Sequence, residues 1–172
     1  MTRLLALALA LLLAGCAGQN HSSTAPTTSS NARACQSIRS AVLARDAKAL
    51  TVLDILCKGD LVVIAGALPP DYTLAVAAVH IARTTPGVSR VETFFVPRSE
   101  REASDSALAT QIRTAVAGSD GAAAAATDLT VIAGTVVLVG VVDDQTKADG
   151  LVARVGAVSG VKGVKSFLQV KP

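Results

Sequence analysis

Aromatic side chains are almost absent from this chain: no tryptophan, one tyrosine and three phenylalanines in 172 residues. That removes the stacking platforms on which bases sit. The formal charge is only +3, with no basic cluster, so no electrostatic footprint for a phosphate backbone exists and nucleic acid is not an expected partner. Histidine is equally scarce. His21 lies in a Ser/Thr-rich stretch and reads as solvated, and around His80, in "AVHIAR", no Ser/Asp/His or Cys/His arrangement is visible. The glycines serve turns, because none stands in a Gly-rich loop joined to a lysine and a hydroxyl residue. Asp143-Asp144 reads as an ordinary helix start rather than a metal site. The expectation is a non-enzymatic chain with no catalytic residues, no metal and no cofactor.

What the chain does have is apolar bulk, 51% of its residues, built mostly from alanine, valine and leucine. Cores made of such small side chains bury little area per residue. Arg3, the apolar run Leu4–Leu13 and the small residues before Cys16 have the layout of a secretory signal over residues 1–15. The run is too short to span a bilayer, which takes about 20 apolar residues. Its end, "LAGC" at Leu13–Cys16, resembles a bacterial lipobox. The resemblance implies cleavage before Cys16 and lipidation of its thiol and new amine, and two or more acyl chains hold a protein stably at a membrane. Ala17 follows where an aspartate would imply retention at the inner membrane, so the resemblance implies the outer membrane. Residues 16–31, with "AGQNHSSTAPTTSSN" after the cysteine, read as a tether with a random-coil reach of roughly 20 Å. Cys35 and Cys57 remain. In an exported chain they either form a disulfide, closing a loop of about 20 residues worth roughly 3 kcal/mol, or stay as two buried thiols.

The stretch "IRSAV" at Ile38–Val42 returns as "IRTAV" at Ile112–Val116, an offset of 112 − 38 = 74. At the same offset Asp46/Asp120, Asp54/Asp128, Val62/Val136, Val63/Val137 and Gly66/Gly140 coincide. A single deletion shifts the register to 73, which aligns Gly87-Val88 with Gly160-Val161 and Phe94 with Phe167. A constant register marks a duplication. Each copy reads α-β-β-α-β: helices about Ala34–Ala44 and Asp105–Ala117, hairpins Val52–Cys57/Leu61–Gly66 and Asp128–Ile132/Thr135–Val142, second helices Tyr72–Arg83 and Gln145–Val158, and last strands Val88–Val96 and Val161–Val170. In the third helix Leu108, Ile112, Ala115 and Val116 make one apolar face, and Ser104 or Asp105 caps its start. Asp54 and Asp128 are expected to bond backbone at the helix–strand connections. Phe94 and Phe167 read as core ends, and Lys162, Lys165 and Lys171 as charges blunting an edge strand or touching lipid head groups.

The hairpins read "GDLVVIAG" at Gly59–Gly66 and "AGTVVLVG" at Ala133–Gly140, and the last strands open with "PGVSRV" at Pro86–Val91 and "SGVKGV" at Ser159–Val164. This order of motifs resembles the BON domain of bacterial envelope proteins. The resemblance implies an α+β fold of two tandem small BON domains, at residues 32–97 and 104–172 with a linker at 98–103, each with two helices packed on a three-stranded mixed sheet. It further implies an outer-membrane lipoprotein facing the periplasm that supports envelope integrity, with the second domain binding phospholipid, anionic in the family, through its first helix. That helix maps onto Asp105–Gly118, whose expected exposed side is Ser106, Ala109, Thr110, Arg113 and Ala117. The candidate lipid-binding residues are therefore Arg113, Ala109, Ala117 and the preceding Arg101. The alternative is a protein-interaction or chaperone-like module with an outer-membrane or periplasmic protein as partner.

Overall fold

A computed structural model describes residues 28–98, 103–118 and 126–171. The signal-like segment, Cys16, most of the tether and Arg101 lie outside the described residues. The chain forms α1 (Thr28–Arg45), a 3-10 turn (Ala49–Thr51), β1 (Leu53–Lys58), β2 (Leu61–Leu68), α2 (Thr73–Thr84), β3 (Arg90–Pro97), α3 (Asp105–Ala117), β4 (Thr127–Ile132), β5 (Thr135–Val142), α4 (Gln145–Gly156) and β6 (Gly163–Val170). The first helix starts at Thr28 rather than Ala34, so the last residues assigned to the tether are helical. The helix of the second half begins and ends where its spacing predicts.

The two halves have one topology: two three-stranded sheets, ordered β1-β2-β3 and β4-β5-β6. In each, an antiparallel hairpin is joined by a helical crossover to a parallel third strand, the connection that parallel pairing requires. The registers repeat as well. Leu53↔Gly66 corresponds to Thr127↔Gly140, and Val62↔Val91 to Val136↔Val164. The repeated "IRxAV" places Ile38 and Val42, and likewise Ile112 and Val116, fully or nearly fully in the core. Ala115, expected on that face, is exposed, because the buried stripe of α3 runs through Asp105, Leu108, Ala109, Ile112 and Val116.

Side-chain alternation in the middle strands sends each second residue to the opposite face. In β2, Val62, Ile64 and Leu68 pack beneath α1 and α2, while Leu61, Val63, Ala65 and Ala67 turn the other way. In β5, Val136 and Leu138 lie beneath α3 and α4. Val137 and Val139, with Ile132 of β4, meet the outward face of β2 in a separate core that Leu56, Phe94, Val96 and Phe167 complete. The layers are helices, sheet, sheet, helices. Equivalent positions meet across the centre: Val63 and Val137, Ala65 and Val139, Phe94 and Phe167 all belong to it. The phenylalanines thus border the core between the halves rather than ending the core of each.

Asp54 and Asp128 do not bond backbone at a helix–strand connection. They lie inside β1 and β4, which approach one another. Thr130 Oγ1 donates to Asp54 Oδ2 at 2.9 Å, and Lys58 Nζ lies 3.5 Å from Asp128 Oδ2. Both contacts join the two halves.

Cys35 and Cys57 are bridged, with Cα atoms 6.0 Å apart, tying α1 to β1. The equivalent residues of the second half, Ala109 and Val131, are both buried in one apolar cluster. A covalent link in one copy stands where the other has packing.

Gly66 and Gly140 recur for a steric reason. A Cβ on Gly66 would lie 2.3 Å from the carbonyl oxygen of Val52 and 2.9 Å from Leu53 Cδ2, and one on Gly140 would lie 2.8 Å from Thr127 Oγ1. The chain entering each hairpin runs too close for any side chain. Gly66→Ala is expected to lose about 1–3 kcal/mol, the usual range for overpacking. Urea denaturation should show a lowered midpoint with an unchanged slope, and an unchanged midpoint would refute the steric reading.

Candidate lipid-facing surface

Because α3 is the helix that the BON resemblance marks out, its anchoring decides what it can present. Ser104 makes no side-chain cap bond. Asp105, only 4% exposed, is not a local cap either: its Oδ2 accepts from the Ala133 N–H and its Oδ1 from the Gly134 N–H, both at 2.9 Å. These are the two turn residues of the β4–β5 hairpin, with φ of 54° and 76°. Two-residue hairpin turns of this kind favour Asn-Gly, because alanine is strained at positive φ. Here the carboxylate of α3 binds the turn from outside and holds that conformation. The sequence clue is an Ala-Gly turn with no Asn or Asp of its own.

Arg113 Nη2 donates to the Leu129 carbonyl at 3.1 Å, and Arg39 Nη2 donates to Ile55 at 2.6 Å, the same bond in the other copy. Ile55 and Leu129 lie on β1 and β4, each at an edge of its sheet, where outward carbonyls lack a strand partner. The recurring arginine therefore ties first helix to first strand, and this explains its place in the motif. The side chain of Arg113 stays at the surface.

Around it the expected face of α3 changes composition. Ala109 is 6% exposed and belongs to the core, so it is no surface contact: it falls one turn after Asp105 on the buried stripe. Ala117, Ser106 and Thr110 are exposed. Thr110 Oγ1 donates to the Ser106 carbonyl and Thr114 Oγ1 to that of Thr110, each at 3.1 Å, so these hydroxyls are used within the helix. A cleft of about 340 Å³ opens beside the end of α3, with Arg113, Ala117, Asp128 and Leu129 among its lining residues. The face is small, weakly apolar and carries a single arginine.

The lysines of the last strand have separate tasks. β6 is an edge strand, as expected. The Lys162 stem crosses the β4–β5 turn at Gly134, and Lys165 Nζ sits 5.8 Å from the centre of the Phe167 ring. Lys171 and Lys147 both place Nζ 2.6 Å from Asp143. Those two bonds hold the Asp143 carboxyl down at about 2. Asp144 caps α4, accepting from the Lys147 N–H at 2.8 Å. Among the described residues no group of three His, Cys, Asp or Glu side chains could hold a metal ion, and no helix is long and apolar enough to cross a membrane.

The BON domain family model matches residues 104–172, and a BON domain is present there. No curated protein matches the chain. Among solved structures, the C-terminal domain of CdsD, a structural protein of the type III secretion system of Chlamydia trachomatis, is 16% identical. It covers 82% of this chain and 67% of its own length, with a TM-score of 0.35. A second structure of CdsD is 17% identical over 82% of this chain and 63% of that one, again at 0.35.

Removing the Asp105 carboxylate leaves two turn N–H groups without their acceptor. Asp105→Ala is expected to destabilise the chain by about 2–3 kcal/mol, read as a lower denaturation midpoint, with amide exchange speeding up first at Ala133 and Gly134. A change confined to the α3 N-terminus would instead mean ordinary capping. Asp143 yields a pH prediction. Its folded pKa is depressed, so its contribution is present above the ordinary carboxylate range and fades as pH falls through about 2. Asp143→Asn should flatten the acid limb of stability between pH 4 and 2, and the difference should shrink in high salt because the cluster is exposed.

Proposed function

We propose that this chain is a non-enzymatic, lipid-anchored envelope protein of the DolP type. In this reading it is held in the outer membrane by acyl chains on Cys16, faces the periplasm and supports membrane integrity through contact with phospholipid. The observation that carries the reading is a BON domain at residues 104–172, a family linked to phospholipid binding or osmotic stress, behind the lipobox-like "LAGC" at Leu13–Cys16. The shared topology and register of the first half support reading residues 32–97 as a second, diverged BON domain. The anchor supplies the membrane affinity in this scheme, since each buried methylene adds about 0.8 kcal/mol and two or more chains suffice.

The composition of α3 favours a second reading. With Ala109 buried and Arg113 bonded to Leu129, the helix offers little to an interface. The domains would then bind an outer-membrane or periplasmic protein, and lipidation would be the only membrane contact.

Labelled palmitate should enter the wild-type chain and not Cys16→Ser, and Cys16→Ser should leave the membrane fraction in cell fractionation. Labelling that survives Cys16→Ser would refute the anchor. In the unlipidated Cys16→Ser chain, pelleting with anionic vesicles supports direct lipid contact, whereas no pelleting together with retained capture of an envelope protein supports the second reading.

A further inference from the structure

The two copies differ most at the surface of their second helices. The buried positions of α2, Ala75, Ala78 and Ala82, correspond to Ala148, Leu151 and Val155 of α4, which fixes the alignment of the outward faces. On α4 the outward positions Gln145 and Asp149 are polar and joined, Gln145 Nε2 donating to Asp149 Oδ1 at 2.8 Å. In the first half the same positions hold Tyr72, the N-cap of α2, and Val76 in its first turn, exposed by 48% and 67%. Tyr72 is the only tyrosine of the chain. One turn further stands His80, so that Tyr72, Val76 and His80 form a ridge one helical turn apart. A shallow groove runs along each side of it, one reaching Arg45 at the end of α1, the other Arg83 at the end of α2. Among the described residues Asp71 is the one acidic group lining either groove; its carboxylate accepts from the Thr73 N–H at 2.9 Å, a bond that favours its charged form.

We propose that the Tyr72–Val76–His80 ridge of α2, flanked by Arg45 and Arg83, is the surface through which this chain lies on an anionic phospholipid bilayer. This rests on the membrane reading above and moves the contact from the second half to the first. The ridge is convex, which suits a bilayer rather than a small molecule. Tyrosine has the apolar body and polar tip found at the level of lipid head groups. Arginines on both sides reach outward to head-group phosphates while their stems stay on apolar surface. The first half also stands next to the lipobox-like motif: residues 17–27 separate Cys16 from the start of α1.

The absence of tryptophan makes a direct test available. Two full-length variants, Tyr72→Trp and Thr110→Trp, each carry one indole, on α2 and on the exposed side of α3. Both are isolated with Cys16 intact and reconstituted into phosphatidylglycerol-containing vesicles with or without brominated acyl chains. The proposal expects the emission of Tyr72→Trp to shift to the blue and to be quenched by bromine, and that of Thr110→Trp to stay at its value in water. Adding Val76→Asp to Tyr72→Trp, the residue type that α4 carries there, should abolish the shift without unfolding the chain. Quenching of Thr110→Trp alone would overturn the proposal and leave lipid contact through α3. Quenching of neither would overturn both it and direct lipid contact. A blue shift at Tyr72→Trp without bromine quenching would mean that protein covers the ridge, which also overturns it.

Discussion

Each three-stranded sheet has two helices and two faces, and the helices can cover only one of them. The structure is organised around the apolar face left over. Covering it against the counterpart in the other half puts Leu61, Val63, Ala65 and Ala67 against Ile132, Val137 and Val139, and makes β2 buried along its whole length. Each half has a core of its own under its helices, filled by aliphatic side chains such as Ile38, Ile64 and Leu68 or Ile112, Leu138 and Leu151 rather than by aromatics. A third core between the sheets adds the buried apolar area that alanine and valine do not supply singly. The polar contacts from Asp54 to Thr130 and from Lys58 to Asp128 lie where β1 and β4 meet and fix how the sheets face each other.

The duplication, the order of elements and most boundaries were legible in the sequence because they follow from local periodicity and turn residues. Pairings across the centre were not, because they join residues about 76 positions apart, as Asp54 and Thr130 are. A clue to them was present: "LVVIAGAL" in β2 is apolar at every position, whereas a sheet with one wet face alternates. Ala109 reads as surface from the sequence because alanine is silent about burial, and the stripe that buries it begins at Asp105, an acidic residue on a core face. Arg113 carries a functional expectation as the basic residue on the helix that the resemblance marks out, yet it recurs as Arg39, and its bond to Leu129 repeats that of Arg39 to Ile55, which marks shared structure first.

Within one topology the halves solve packing differently. The first has small buried residues on α2, namely Ala75, Ala78 and Ala82, and ties α1 to β1 with a disulfide. The second replaces two of those alanines by Leu151 and Val155 and needs only Ala109 against Val131 at the bridge position. Covalent restraint stands where apolar volume is thin. The Asp105 clamp on the Ala133-Gly134 turn belongs to the second half, whose hairpin carries consecutive positive φ angles at Ala133 and Gly134; in the first hairpin Gly59 alone takes one.

The apolar centre has the grammar of a symmetric dimer, since a patch built on β2 meets its own equivalent on β5. Between separate molecules such a contact would form or dissolve with dilution. Here a connection of a few residues between Pro97 and Asp105 holds the two patches at an effective concentration of about millimolar or more. The association has become part of folding, so the outer faces of the helices keep a fixed relation to one another at any abundance of the protein.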